Sequence, residues 1–224
     1  MQIIKLANMR TPRPRGVPAW GACVHTTGSG IPKRAQALKR ATMSIAIEIY
    51  TDPDMEGFPH YVINGEGAIV QVCEEALRAA HVGRIVNGVD RREQYMSGAW
   101  EKMIPASLLD RWRRAWPGKK HPYALFPSKS PNEDFLGIEL IPMYPPPSQG
   151  TRFTRPQMDS LVDLLRDMAV RNKWPAKWAT TSRLVGHEDV GILDRFDRNG
   201  TWDPGNLREQ PYFDFAGVRR ALTS

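Results

Sequence analysis

The sequence predicts an α/β fold: a single domain with a central mixed β-sheet flanked by helices. Three observations carry that expectation. Short apolar runs rich in β-branched residues alternate with longer stretches of helical periodicity. A glycine turn, Asn64-Gly65-Glu66-Gly67, separates His60-Tyr61-Val62-Ile63 from Ala68-Ile69-Val70-Gln71-Val72-Cys73, which reads as a hairpin. No internal repeat appears in the 224 residues, a length that suits one domain with elaborations.

Taken in order, residues 1–16 have no continuous apolar core and carry Pro12 and Pro14. They are expected to lie on the surface, so that residues 1–17 form an N-terminal arm and residues 18–224 the domain proper. Trp20 to His25 is a strand that ends where small polar residues and Gly28 begin. Ala35 to Ile49 lacks Gly and Pro and reads as a helix. The hairpin follows, and Glu74 to Ala80 forms a short helix or turn leading to His81. Residues 82–133 read as an insertion, with Leu109, Trp112 and Trp116 on one helix face ahead of Pro117-Gly118. Phe135 to Ile141 is a strand, apolar except for Glu139. Thr154 is placed to cap a helix, with Pro156 in its first turn and Gln157 set to cap reciprocally. Met158, Leu161, Val162, Leu165, Met168 and Ala169 give that helix a buried face. Residues 180–187 form the last strand, delivering His187 to its end, and Phe213 to Leu222 forms a closing helix.

The net charge of +7 favours a polyanionic partner, either nucleic acid or a bacterial cell-wall polymer. The lysines and arginines are dispersed and no helix shows a strongly basic stripe, which speaks against nucleic acid. The only two cysteines, Cys23 and Cys73, each fall inside a strand and read as buried thiols rather than a disulfide. No apolar run approaches the roughly 18 residues of a membrane span, and the first 16 residues do not read as a secretory signal. The chain is therefore expected in the cytoplasm when made, and as a monomer.

Chemistry is signalled at two places. Leu184-Val185-Gly186-His187 delivers an imidazole, and the loop through Trp202-Asp203-Pro204-Gly205 returns a carboxylate. That pairing is common at zinc, which in catalytic sites takes about three protein ligands and leaves a position for water. His25, also at a strand end, is the best third candidate, since active-site groups sit on loops aimed by a rigid sheet. Each histidine taken alone is more often structural. The second place is Glu139, whose carboxylate within an apolar strand is either paired with an arginine or aimed into a cleft, where burial suits it to acid–base work.

These residues carry a resemblance. His25-Thr-Thr-Gly, His60-Tyr-Val-Ile with Gly67 and Gln71, His81, Gly137-Ile-Glu139-Leu, Gly186-His187-Glu-Asp-Val and Asp203-Pro-Gly occur in an order similar to that of the zinc-dependent N-acetylmuramoyl-L-alanine amidases. That family includes phage lysozyme-type amidases (endolysins), cell-wall recycling amidases and peptidoglycan recognition proteins. The resemblance covers roughly residues 18–215. It implies a peptidoglycan hydrolase that cleaves the amide between N-acetylmuramic acid and L-alanine, with zinc on His25, His187 and Asp203 and with Glu139 as general base. It further implies that His81, with Thr26 and Thr27, lies near the substrate and that His60 supports the sheet beside the site. Two departures stand out. The last two ligands are 203 − 187 = 16 residues apart where the family has about ten, so Asp197 competes with Asp203. The lysine that many members carry two residues before the last ligand is here Thr201, so either its hydroxyl or the guanidinium of Arg195 or Arg198 is expected beside the oxyanion. A non-catalytic cell-wall receptor on the same fold is the rival reading, and such relatives usually lack the third ligand.

Overall fold

The computed structural model of the chain describes residues 2–6, 14–26, 43–52, 57–82, 85–86, 89–90, 92–115, 130–141, 153–179, 183–193 and 213–224. Its centre is a six-stranded mixed sheet. The strands are β1 (Ile3–Lys5), β2 (Gly21–Thr26), β3 (Tyr61–Ile63), β4 (Ile69–Gln71), β7 (Phe135–Leu140) and β8 (Leu184–Gly186), in the spatial order β1-β4-β3-β7-β2-β8. A separate two-stranded piece pairs β5 (Ile85–Val86) with β6 (Val89–Asp90). The β3–β4 hairpin is antiparallel and the other pairings of the six-stranded sheet are parallel.

β2 and β7 are buried along all six residues, as expected of parallel strands covered on both faces. Their register runs from Gly21 opposite Phe135 to Thr26 opposite Leu140, so His25 lies beside Glu139 and Cys23 beside Gly137. Alternation along the strands divides their residues between two faces. Ala22, Val24, Leu136, Ile138, Leu140 and Leu184 face one way into an apolar core. That face is covered by Leu161, Leu164, Leu165 and Met168 of the helix Arg155–Arg171 and by Phe215 and Val218 of the helix Phe215–Thr223. Burial of these side chains, at about 25 cal/mol per Å² of apolar surface, is the main force holding the sheet to its helices.

The opposite face holds two smaller apolar cores. Val62, Val70 and Ile141 pack with Met43, Ile47 and Tyr50 of the helix Met43–Thr51. Cys23, Phe135 and Val185 pack with Tyr95, Trp100, Leu108 and Trp112 from the insertion, and with Val190, Ile192 and Leu193. The insertion thus contributes core, through the helices Arg92–Ser97 and Ala106–Ala115 and the 3-10 turn Ala99–Lys102. Trp112 Nε1 donates to the carbonyl of Asp189 at 3.0 Å, and Leu193 N donates to Tyr95 Oη at 2.9 Å, tying the insertion to the segment after β8.

Three expectations change. The N-terminal residues supply β1, an edge strand of the sheet, and Arg15 reaches inward to the carbonyls of Glu75, Glu133 and Leu77. Gln157 does not reciprocate its cap. Thr154 Oγ1 accepts from Gln157 N at 3.2 Å, but the buried Gln157 amide donates to Ile63 O and Ile141 O, both at 2.9 Å, satisfying carbonyls at two strand ends. The last strand stops at Gly186, because Gly186 N donates to Asp189 Oδ2 at 2.7 Å and opens a helical turn, His187–Val190. The segment Glu74 to Ala80 takes the turn form of its expectation, with Leu77 N donating to Glu74 O at 3.0 Å and Leu77 forming an isolated bridge with Pro14. Both cysteines are buried and free, as the sequence led us to expect. No helix among the described residues is long and apolar enough to cross a membrane.

Candidate active site

Where the two smaller cores meet, four imidazoles rise in a column. The ring centroids of His60 and His81 are 5.9 Å apart, those of His81 and His25 5.1 Å, and those of His25 and His187 4.8 Å. The column ends beside the carboxyl ends of β2, β7 and β8. Ligands of open α/β sheets bind outside the carboxyl ends of the strands.

His25 is the fifth residue of β2 and is 2% exposed. His187 opens the helical turn after β8 and is 4% exposed. Their Nδ1 atoms face each other at 3.1 Å. Gly191 makes room for this, since a Cβ there would lie 2.9 Å from His187 Cδ2 and 3.2 Å from its Nε2. Glu139 is 8% exposed, in register with His25, and so on the same face of the sheet. Thr26 is buried at the end of β2.

His81 sits behind His25. Its Nδ1 is 3.0 Å from His25 Nε2, and its Nε2 is 3.1 Å from the carbonyl of Phe135. Both ring nitrogens are thus engaged inside the protein. Burial, reinforced by the neighbouring imidazoles of His25 and His60, holds its pKa well below 6.5. Gly137 permits this packing, because a Cβ on it would lie 2.6 Å from His81 Cγ.

His60 is fully buried at the base of the column. Gly137 N donates to its Nδ1 at 2.9 Å, so in the neutral ring Nε2 carries the proton and donates to Leu77 O at 3.1 Å. Burial, and then the Arg15 guanidinium 2.9 Å from Nε2, pushes its pKa down to about 3.

Two donor sets share His25. One is the Nδ1 pair of His25 and His187. A tetrahedral zinc with Zn–N bonds of about 2.0–2.1 Å separates two nitrogen ligands by roughly 3.3–3.4 Å, close to the observed gap. The other set is Cys23, His25 and His81, whose ligand atoms lie within 4.8 Å of one another. It uses the opposite side of His25 and lies deeper: Cys23 is two residues further into β2, packed among Phe135, Val185 and Val190. Only the first set stands wholly at the strand ends, level with Glu139.

Of the residues named from the sequence, the structure brings together His25, His187, Glu139, His81 and His60. Thr27, Asp197, Thr201 and Asp203 lie outside the described residues. The contacts of His81 with His25 and Phe135, and the proximity of Cys23, were not read from the sequence. Gly137 inside an apolar strand was the available signal, since a strand glycine marks close approach of another group.

Comparisons with known proteins give the family and the fold. The family model described as N-acetylmuramoyl-L-alanine amidase matches residues 15–206. No curated protein matches the chain. Among solved structures, the chain is similar to the N-acetylmuramoyl-L-alanine amidase LysC of Clostridium intestinale, at 17% identity over 99% of this chain and 97% of that one, with a TM-score of 0.53. It is also similar to the Staphylococcus aureus hydrolase AmiA, at 12% identity over 100% and 82%, with a TM-score of 0.52. An AmpD structure matches at 17% identity over 99% and 94%, with a TM-score of 0.50. At these identities the likeness shows the fold, which is the single-domain mixed sheet flanked by helices.

Proposed function

The chain belongs to the N-acetylmuramoyl-L-alanine amidase family and is a peptidoglycan amidase; on that premise we propose that it works with a zinc ion held by His25, His187 and Asp203, and with Glu139 as general base. The observation that carries the metal reading is the 3.1 Å approach of two imidazole Nδ1 atoms at the carboxyl ends of the strands. The ion would supply a Lewis acid and a bound water with its pKa lowered towards about 7.

The protein's own groups do the rest. Glu139 takes a proton from the attacking water as its oxygen bonds to the lactyl carbonyl carbon. The same carboxyl then passes that proton to the nitrogen of L-alanine as the C–N bond breaks, giving a carboxylate on muramic acid and a free amine on the peptide. The Thr201 hydroxyl donates to the developing oxyanion, in the position where relatives carry a lysine. By the family resemblance Thr26, Thr27 and His81 would serve the substrate side, and His60 holds β7 through Gly137. The +7 charge draws anionic cell wall to the surface. The protein acts as a monomer on peptidoglycan or soluble muropeptides, with no role for nucleic acid.

The test is product analysis by mass spectrometry after incubation with purified sacculi and with soluble anhydro-muropeptides, with and without chelator. The reading expects stem peptides with a free L-alanine amine, abolished by chelator and restored by zinc. Cleavage within the glycan or the peptide would refute the bond assignment, and full activity in chelator would refute the metal. The preferred substrate separates a lytic endolysin from a recycling enzyme.

A further inference from the structure

We propose that His81 is a positioning residue that fixes the tautomer of His25, so that His25 presents an unprotonated Nδ1 towards His187. The inference rests on the zinc reading above only for its consequence, not for its geometry. The carbonyl of Phe135 can only accept a hydrogen bond, and it lies 3.1 Å from His81 Nε2. The proton of a neutral His81 ring is therefore on Nε2, and its Nδ1 is an acceptor. The atom facing that acceptor, at 3.0 Å, is His25 Nε2, which must donate. His25 then carries its proton on Nε2, and its Nδ1 is left as a lone pair, 3.1 Å from His187 Nδ1. A main-chain carbonyl at the start of β7 thereby sets the protonation pattern two rings away.

The surroundings hold the relay in place. Asn132 Oδ1 accepts from His81 N at 3.0 Å and from Val82 N at 2.8 Å, while its Nδ2 donates to Val82 O at 2.9 Å. The His81 ring lies against Gly137, where any side chain would collide with it. An imidazole that binds a metal through one nitrogen is commonly oriented by an acceptor on the other, and losing that acceptor typically weakens metal binding by about 10–100-fold. Here the acceptor is itself an imidazole, oriented in turn by the backbone of the central strand.

The first experiment needs no variant. Nitrogen-15 NMR of the metal-free protein reports which ring nitrogens carry protons, and the proposal expects the Nε2–H form for both His25 and His81. A His25 ring found protonated on Nδ1 would overturn it. The second experiment is zinc affinity by chelator competition. His81→Leu is expected to weaken zinc by about 10–100-fold, and His81→Asn, whose Oδ1 replaces the acceptor, to recover much of that loss. A folded His81→Leu protein that binds zinc like the parent also overturns the proposal. If the parent itself takes up no zinc, the metal reading has failed, and the tautomers measured without metal still decide the relay.

Discussion

Acidification of the metal-free protein should expose the cost of keeping His60 neutral. In the folded chain its pKa is about 3, against 6.5 for the free side chain. Between those values the unfolded chain binds a proton that the folded chain refuses, so stability is full above pH 6.5 and is lost as pH falls through the window to about 3. At about pH 5 the unfolded ring is almost fully charged, and the linkage amounts to about 2 kcal/mol relative to about pH 7.5. The informative variant is His60→Asn. Its Oδ1 can still accept from Gly137 N, but it has no titrating group. Lost packing and the lost bond to Leu77 O will destabilise it at all pH values. Its loss of stability between those two pH values should nonetheless be smaller than the parent's by about 2 kcal/mol. Urea unfolding followed by tryptophan fluorescence in chelator, at both pH values, measures the difference. Equal pH dependence in parent and variant would refute a neutral, buried His60 pressed by Arg15.

Further outcomes follow from the site. Glu139→Gln should keep zinc but lower turnover by about 10²–10⁴-fold, measured as stem-peptide release at matched metal content. Asp203→Ala should lose zinc far more readily than Asp197→Ala or Cys23→Ala, as metal analysis of the three purified proteins will report; the reverse order would move the third ligand. Gly191→Ala puts a Cβ 2.9 Å from His187 Cδ2, so zinc affinity should fall while the fold persists by circular dichroism. Gln157→Ala takes the buried amide donor from Ile141 O and leaves Ile63 O with its bond from Ile141 N, and should cost about 1–3 kcal/mol in chemical unfolding.

Much of this architecture is legible in the chain. Phe135 to Ile141 is apolar nearly throughout because β7 lies mid-sheet with cores on both faces, and a strand so placed has no polar side to show. The hairpin is announced by its glycine turn, and the helix Arg155–Arg171 by Thr154 and a regular apolar stripe. Most of what escaped reading depends on contacts distant in sequence. β1 is three residues long, too short to show a period, and it is a strand only because β4 offers it an edge. His187 looked like the end of a strand because Leu184-Val185 is apolar, whereas Asp189 captures Gly186 N and starts a helix there. Gln157 reads as a cap by position, yet two carbonyls from other elements claim its amide. His25 and Glu139 were found from the sequence because each interrupts or ends an apolar run. The role of His81 was not, because it depends on a backbone carbonyl 54 residues away.

X-ray absorption at the zinc edge on the loaded protein tests the central claim most directly. Two imidazole nitrogens and a carboxylate oxygen at about 2.0–2.1 Å, with a fourth light atom from water, are expected. A sulfur shell at about 2.3 Å would place the ion on Cys23 instead and contradict the pairing of His25 with His187.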